Sequence, residues 1–175
     1  MLTNSSKSKC EITWMAMSGV MDRGGWKQTR HKRSATRVFY EGCGSISTGF
    51  MSKTARDNRR KKLKVCSDHV TAPQSLSYFV YDNWDKYSNF TNFQDVWTIG
   101  SQTAWVSTSE NNMLKKWTDK KSAGNVYCSI IDRYRKCGIR LYKENYGWTW
   151  DWPFDLPEGF LEYEGKFLLQ EKMCA

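Results

Sequence analysis

The chain has 175 residues and a formal net charge of +9, with 27 Lys and Arg against 18 Asp and Glu. Aromatic residues make up 15%, nine of them Trp, which excludes a largely disordered chain. A mean hydropathy of −0.71 with no long apolar run excludes a membrane-spanning helix, and the length suffices for one domain with a real core.

Residues 1–22 mix polar side chains with Ile12, Trp14, Met15, Met17, Val20 and Met21, a strand or short helix that packs onto the core. The first residues hold no apolar segment of signal-peptide length, so a cytoplasmic location is expected. Gly24-Gly25 marks a turn. The basic run Lys27 to Arg33 follows, with Arg30, Lys32 and Arg33 as candidate phosphate contacts, and leads to an expected strand at Thr36–Tyr40. Gly42, Gly44 and Gly49 among Ser and Thr read as loop. Ser52 to Lys62 fits either a basic helix or an extended arm carrying Arg56, Arg59, Arg60, Lys61 and Lys62.

Thirteen Lys and Arg lie between Arg23 and Lys64 against two acids, Glu41 and Asp57, a local excess of +11. The rest of the chain holds 14 bases against 16 acids. Such one-sided charge points to a polyanion gripped by the N-terminal half, with binding that weakens as salt rises. A merely solubilising surface is the plainer alternative.

A strand-like run, Lys62 to Cys66, then ends in Ser67-Asp68-His69. A loop through Pro73 precedes an expected helix from Gln74 to about Trp84, where Leu76, Phe79, Val80 and Trp84 recur at helical spacing. An apolar segment around Phe93, Val96, Trp97 and Ile99 is expected to break at Gly100 before a strand at Ala104–Thr108. Ser109 and Asn112 suggest a helix start, with Met113, Leu114 and Trp117 on its buried side. Residues 126–142 suggest a further helix ended by Gly138, then a short strand at Ile139–Tyr142. Trp148 to Phe154 is aromatic and irregular, and an acidic helix is expected from about Glu158 to Leu169. The architecture expected is α+β, one small compact domain in three segments: a basic arm and packing segment (1–60), a central core (61–120) and a C-terminal helical and aromatic segment (121–175).

The six cysteines are scattered with no C-x-x-C pair, so structural zinc is not expected and reduced thiols are. Asp68 offers a carboxylate and Asn111 or Asn112 an amide oxygen, hard donors suited to magnesium. Imidazole in general titrates near neutrality, which suits His69 to the role of a general base that deprotonates water. Adjacent side chains on a strand point to opposite faces, so Asp68 and His69 share one site only if the strand ends or bends there.

Cys66-Ser67-Asp68-His69, followed by Val106-Ser107-Thr108-Ser109-Glu110-Asn111-Asn112-Met113-Leu114-Lys115, resembles the His-Me finger (ββα-metal, HNH-like) endonucleases. In that family one strand ends in Asp-His, and a second leads into a helix of the form V-T-x-x-E-N-x-x-L. The resemblance covers about residues 62–117. It implies a ββα-metal-like core with an inserted helix, His69 as base, Asp68 and Asn111 as metal ligands, and Lys115 near the phosphate. Asn112 and, as the middle Asn of the motif, Asn89 are further candidates. The implied activity is magnesium-dependent DNA cleavage, with RNA as another substrate, by a bacteriophage or mobile-element enzyme in a bacterial cytoplasm.

Plainer readings stand beside each piece. Asn111-Asn112 also fits helix-start chemistry, and Trp148, Trp150 and Trp152 fit a packing patch. The competing functions are a non-enzymatic nucleic-acid-binding accessory protein and a protein that binds a host enzyme through its aromatic surface.

Overall fold

The computed structural model describes residues 2–24, 29–118, 129 and 132–164, with only the backbone for 29–34 and 117–118. The chain is α+β. It divides into two compact units, each built from two stretches of sequence, residues 1–46 with 71–102 and residues 47–70 with 103–175. Neither follows a linear segmentation at residues 60 and 120.

The first unit is helical. Helix α1 (Asn4–Asp22) begins at Thr3, whose hydroxyl accepts the Ser6 N–H, and buries Cys10, Thr13 and Met17 at helical spacing. Helix α2 (Thr29–Gly42) takes in the residues expected as a strand at Thr36–Tyr40. Val38, Phe39 and Tyr40 favour a strand locally. Burial of Ala35, Phe39 and Cys43, four residues apart, gives the helix its packed stripe and overrides that preference.

Helix α4 (Pro73–Asp82) has Pro in its first turn, the short helix α5 (Trp84–Tyr87) follows, and α6 (Phe90–Ser101) completes the unit. Phe39, Leu76, Val80, Phe93, Val96 and Trp97 are fully enclosed, and the Trp97 indole N–H donates to the Gly42 carbonyl at 3.0 Å. Burial pushes the Cys10 and Cys43 thiols up to about 12, so both stay protonated and inert as nucleophiles or ligands.

Gly100, expected to break the apolar segment, lies inside α6. A Cβ there would sit 3.1 Å from Phe39 Cε1, 3.2 Å from Leu76 Cδ1 and 3.3 Å from Cys43 Sγ. The glycine therefore lets α6 pack closely on α2 and α4. Gly100→Ala is expected to destabilise by about 1–3 kcal/mol through overpacking. Gly19→Ala in α1, with nothing within 4 Å of its Cβ, is expected to stabilise by about 0.5–1 kcal/mol. Urea melts of both variants check the pair, and equal shifts would contradict this packing.

The second unit is a sheet with helices. Strand β1 (Ile46–Ser52) occupies the glycine-containing stretch expected as loop, with Gly49 at φ +81°. The basic helix α3 (Lys53–Arg60) follows at once. Strand β2 (Val65–His69) pairs antiparallel with β3 (Gln102–Ser107), from Val65 opposite Ser107 to His69 opposite Thr103. Helix α7 (Thr108–Thr118) leaves β3 directly. The four-residue helix α8 (Arg133–Lys136) and strands β4 (Leu141–Lys143) and β5 (Gly147–Thr149) complete the unit, and the sheet order is β2-β3-β1-β4-β5.

One sheet face is the core, where Phe50, Val70, Ala104, Val106, Leu114, Tyr134, Ile139 and Leu141 pack together. Of the helix expected from residue 126 to Gly138, residues 126–128, 130 and 131 lie outside the described residues, and Arg133–Lys136 are helical. Of the acidic helix expected at Glu158–Leu169, residues 160–164 are helical and those beyond Glu164 lie outside the described residues. Among the described residues no helix is long and apolar enough to cross a membrane.

Candidate nucleic-acid-processing site

Strands β2 and β3 and helix α7 run in ββα order, with helices α4, α5 and α6 inserted between the two strands. The motif residues divide by burial along α7. Val106 and Leu114 are in the core, while Asn111 is half-buried and Lys115, one turn on, is exposed on the same flank.

Glu110 is structural. Its Oε2 accepts from the Ser107 N–H at 2.8 Å while the Ser107 hydroxyl accepts from the Glu110 N–H, a capping box. The helix start therefore lies at Ser107 and Glu110, two residues before the expected pair Ser109 and Asn112. The same Oε2 accepts the Ser52 hydroxyl at 2.6 Å, and that hydroxyl caps α3 by accepting from the Ala55 N–H. One carboxylate thus ties together the N-termini of α3 and α7. Glu110→Ala removes the cap and strands the fully buried Ser52 hydroxyl, an expected loss of about 2–4 kcal/mol. Glu110→Gln should recover more than half of that in a urea melt. A change under about 0.5 kcal/mol for the Ala variant would refute the joint.

Register and burial sort the remaining candidates onto two sheet faces. Cys66, Asp68, Ala104 and Val106 point to the core face, so strand alternation puts Ser67, His69 and Trp105 on the other. Tyr142 and Trp148 lie opposite Met51 and each other on that same second face. Helix α3 is laid over it, with the Arg59 guanidinium 5.3 Å from the Trp105 ring centre and that of Arg56 4.4 Å from Tyr142. These cation–π contacts restrain two otherwise floppy side chains. The three tryptophans of the aromatic tail separate. Trp148 is on this face, Trp150 is exposed near Arg140, and Trp152 packs against Tyr134 and Phe154.

Helix α3 ends with Lys62 at φ +57°, the Lys62 N–H bonded to the Arg59 carbonyl and the Leu63 N–H to that of Asn58. This is the Schellman pattern, whose left-handed position favours glycine. A lysine there costs about 1 kcal/mol and keeps a cation beside Arg59, Arg60 and Lys61. Lys62→Gly is expected to raise stability by about 1 kcal/mol and to weaken polynucleotide binding. Unchanged affinity in a filter-binding titration would remove Lys62 from the interface.

Asp68 has a different role from the one expected. Its side chain is 10% exposed, and its Oδ2 accepts from Arg133 Nη2 at 2.6 Å and from the Tyr134 hydroxyl at 2.6 Å. The same Nη2 donates to the His69 carbonyl at 2.6 Å and lies 3.4 Å from that of Val70, while Arg133 Nε has no hydrogen-bond partner among the described residues. Burial disfavours the guanidinium charge, yet the Asp68 carboxylate and, after it, Tyr134 together more than offset this and hold the Arg133 pKa above its usual value. Burial, with the Asp68 carboxylate beside it, also pushes Tyr134 well above the ordinary phenol value. Arg133 and Tyr134 went unnoticed in the sequence because the pair lies 65 residues from Asp68 and matches no local motif.

The metal that the resemblance implies would be held by Asp68 and Asn111, with His69 beside it as the base. They do not fit one centre here, since Asp68 and His69 face opposite sides of the sheet and the Asp68 charge is already met by Arg133. Among the described residues no three His, Cys, Asp or Glu side chains converge as a metal site. Asn89 lies in the other unit, where its Oδ1 caps α6 by accepting the Thr91 and Asn92 N–H groups. Asn112 is exposed on α7. Arg30, Lys32 and Arg33 fall on α2 with side chains outside the described residues. Comparison with known proteins found no matching family model, no similar curated protein and no similar solved structure.

Proposed function

We propose that the protein is an endonuclease that hydrolyses phosphodiester bonds in DNA, with His69 as the general base. The observation that carries this reading is the placing of Arg56 and Arg59, restrained over Tyr142 and Trp105, on the sheet face that holds His69. The ββα order of β2, β3 and α7 supports the same reading. Guanidinium groups neutralise the phosphate and orient the backbone, and imidazole takes the proton of the attacking water.

The test is cleavage of supercoiled plasmid by the full chain, with magnesium and with chelator, beside filter binding across a salt series. Nicking or linearisation that chelator abolishes supports the reading and its magnesium dependence. Binding that falls steeply with salt, without cleavage under any divalent metal, sinks it. A second reading, a nucleic-acid-binding accessory protein without activity, is favoured by the diversion of Asp68 to Arg133 and predicts that second outcome.

A further inference from the structure

The geometry points to Asp68 as the counter-ion of Arg133 rather than a metal ligand, and to the Asp68–Arg133–Tyr134 cluster as a clamp that positions the backbone at His69. The positioning role rests on His69 being the base of the proposed nuclease; the pairing of Asp68 does not. A single nitrogen, Arg133 Nη2, bonds the Asp68 carboxylate and the His69 carbonyl at 2.6 Å each, spanning two successive residues of one strand. Tyr134 adds a second donor to the same carboxylate oxygen. Consecutive side chains on β2 leave the sheet in opposite directions. Arg133 therefore reaches the residue that carries the imidazole only through its main chain, from the side away from the ring.

This has a mechanical consequence. Asp68 cannot bring a cation to the imidazole, but the clamp fixes where β2 stops and so where the His69 ring projects. Val70 and Thr71 bend away directly afterwards, and the Val70 carbonyl also lies within reach of Nη2 at 3.4 Å. Without the guanidinium, the end of β2 loses the bonds that Nη2 makes to the Asp68 carboxylate and the His69 carbonyl, and keeps its ladder to β3 and the Tyr134 hydroxyl on Asp68. Misplacing a base by about 1 Å can cost about a hundredfold in rate.

Because each single substitution leaves a buried charge without its partner, the paired variant Asp68→Asn/Arg133→Gln is the primary probe. It removes both charges together. Manganese binding to the full chain is titrated by electron paramagnetic resonance in the wild type and the paired variant. Amide exchange of His69 and Val70 is followed in the wild type and in Arg133→Met, with global stability matched by osmolyte. The manganese isotherms are expected to coincide, or both to show no binding. The two amides are expected to exchange about tenfold faster in Arg133→Met. Should Arg133→Met fail to fold, the same exchange comparison is made on Arg133→Lys, which keeps the charge beside Asp68 but replaces the guanidinium. Manganese binding lost with the carboxylate, or amide exchange unaltered at His69 and Val70, overturns the proposal. Wild-type protein that leaves plasmid intact while both expected results hold removes the nuclease reading and leaves the Asp68–Arg133 assignment standing. Cleavage by the wild type, with manganese binding lost in the paired variant, does the reverse.

Discussion

Replacing His69 by Ala is expected to slow plasmid cleavage by about 10²–10⁴-fold while DNA affinity stays within a factor of about two. In the mechanism we propose, the imidazole acts on the attacking water, whereas affinity comes from the cations of α3 and the turn after it, Arg56, Arg59, Arg60, Lys61 and Lys62. On that proposal those cations set the salt dependence of binding and His69 does not. Arg56→Ala with Arg59→Ala should show the converse, a shallower salt slope and weaker binding. His31→Ala serves as the control, since it removes the only other histidine and should leave the rate unchanged. Single-turnover cleavage at saturating protein separates the effects, because it reports the chemical step without binding. Equal rates for the wild type and His69→Ala would mean that whatever cuts the plasmid is not this imidazole.

The second large effect is on stability. Asp68→Ala and Arg133→Met are each expected to cost about 3–5 kcal/mol, because each leaves a buried charge unpaired. The paired variant should be less destabilised than either single one. Removing both charges also removes the desolvation cost that their attraction had to offset. A double-mutant cycle built from urea melts gives the coupling directly. Single variants within about 1 kcal/mol of the wild type would mean that Arg133 and Asp68 do not meet. Tyr134 also donates to the same Asp68 oxygen and is kept in every variant of the cycle, so the coupling read is that of Arg133 with Asp68.

How much of this was legible in advance varies by element. The helix at Pro73–Asp82 was plain, because Leu76, Phe79 and Val80 repeat on one face and Pro suits a first turn. Strands β2 and β3 and helix α7 were also visible, as short β-rich runs followed by a periodic one. Thr36–Tyr40 misled, since its strand preference is local and the burial of Ala35 and Phe39 in a helical stripe comes from partners elsewhere in the chain. Glycines misled in both directions. Gly49 sits inside a strand and Gly100 inside a helix, each tolerated for reasons of backbone conformation or close packing that the residue type alone does not reveal.

At the candidate site the same division holds. The sequence by itself determined the concentration of charge on α3 and its flanks, the Asp-His close of β2, a helix directly after β3, and the lack of a long apolar run. These are local properties, set by residue type and by spacings of two to four. Only the tertiary structure decided that Asp68 turns to Arg133, that Glu110 joins two helix starts, and that the α3 arginines cover the face of His69. Each depends on which distant segment fills the space beside a strand: 65 residues separate Asp68 from Arg133, and 58 separate Ser52 from Glu110. A strand fixes that neighbouring side chains part to opposite faces, and the packing around it fixes what each of them meets.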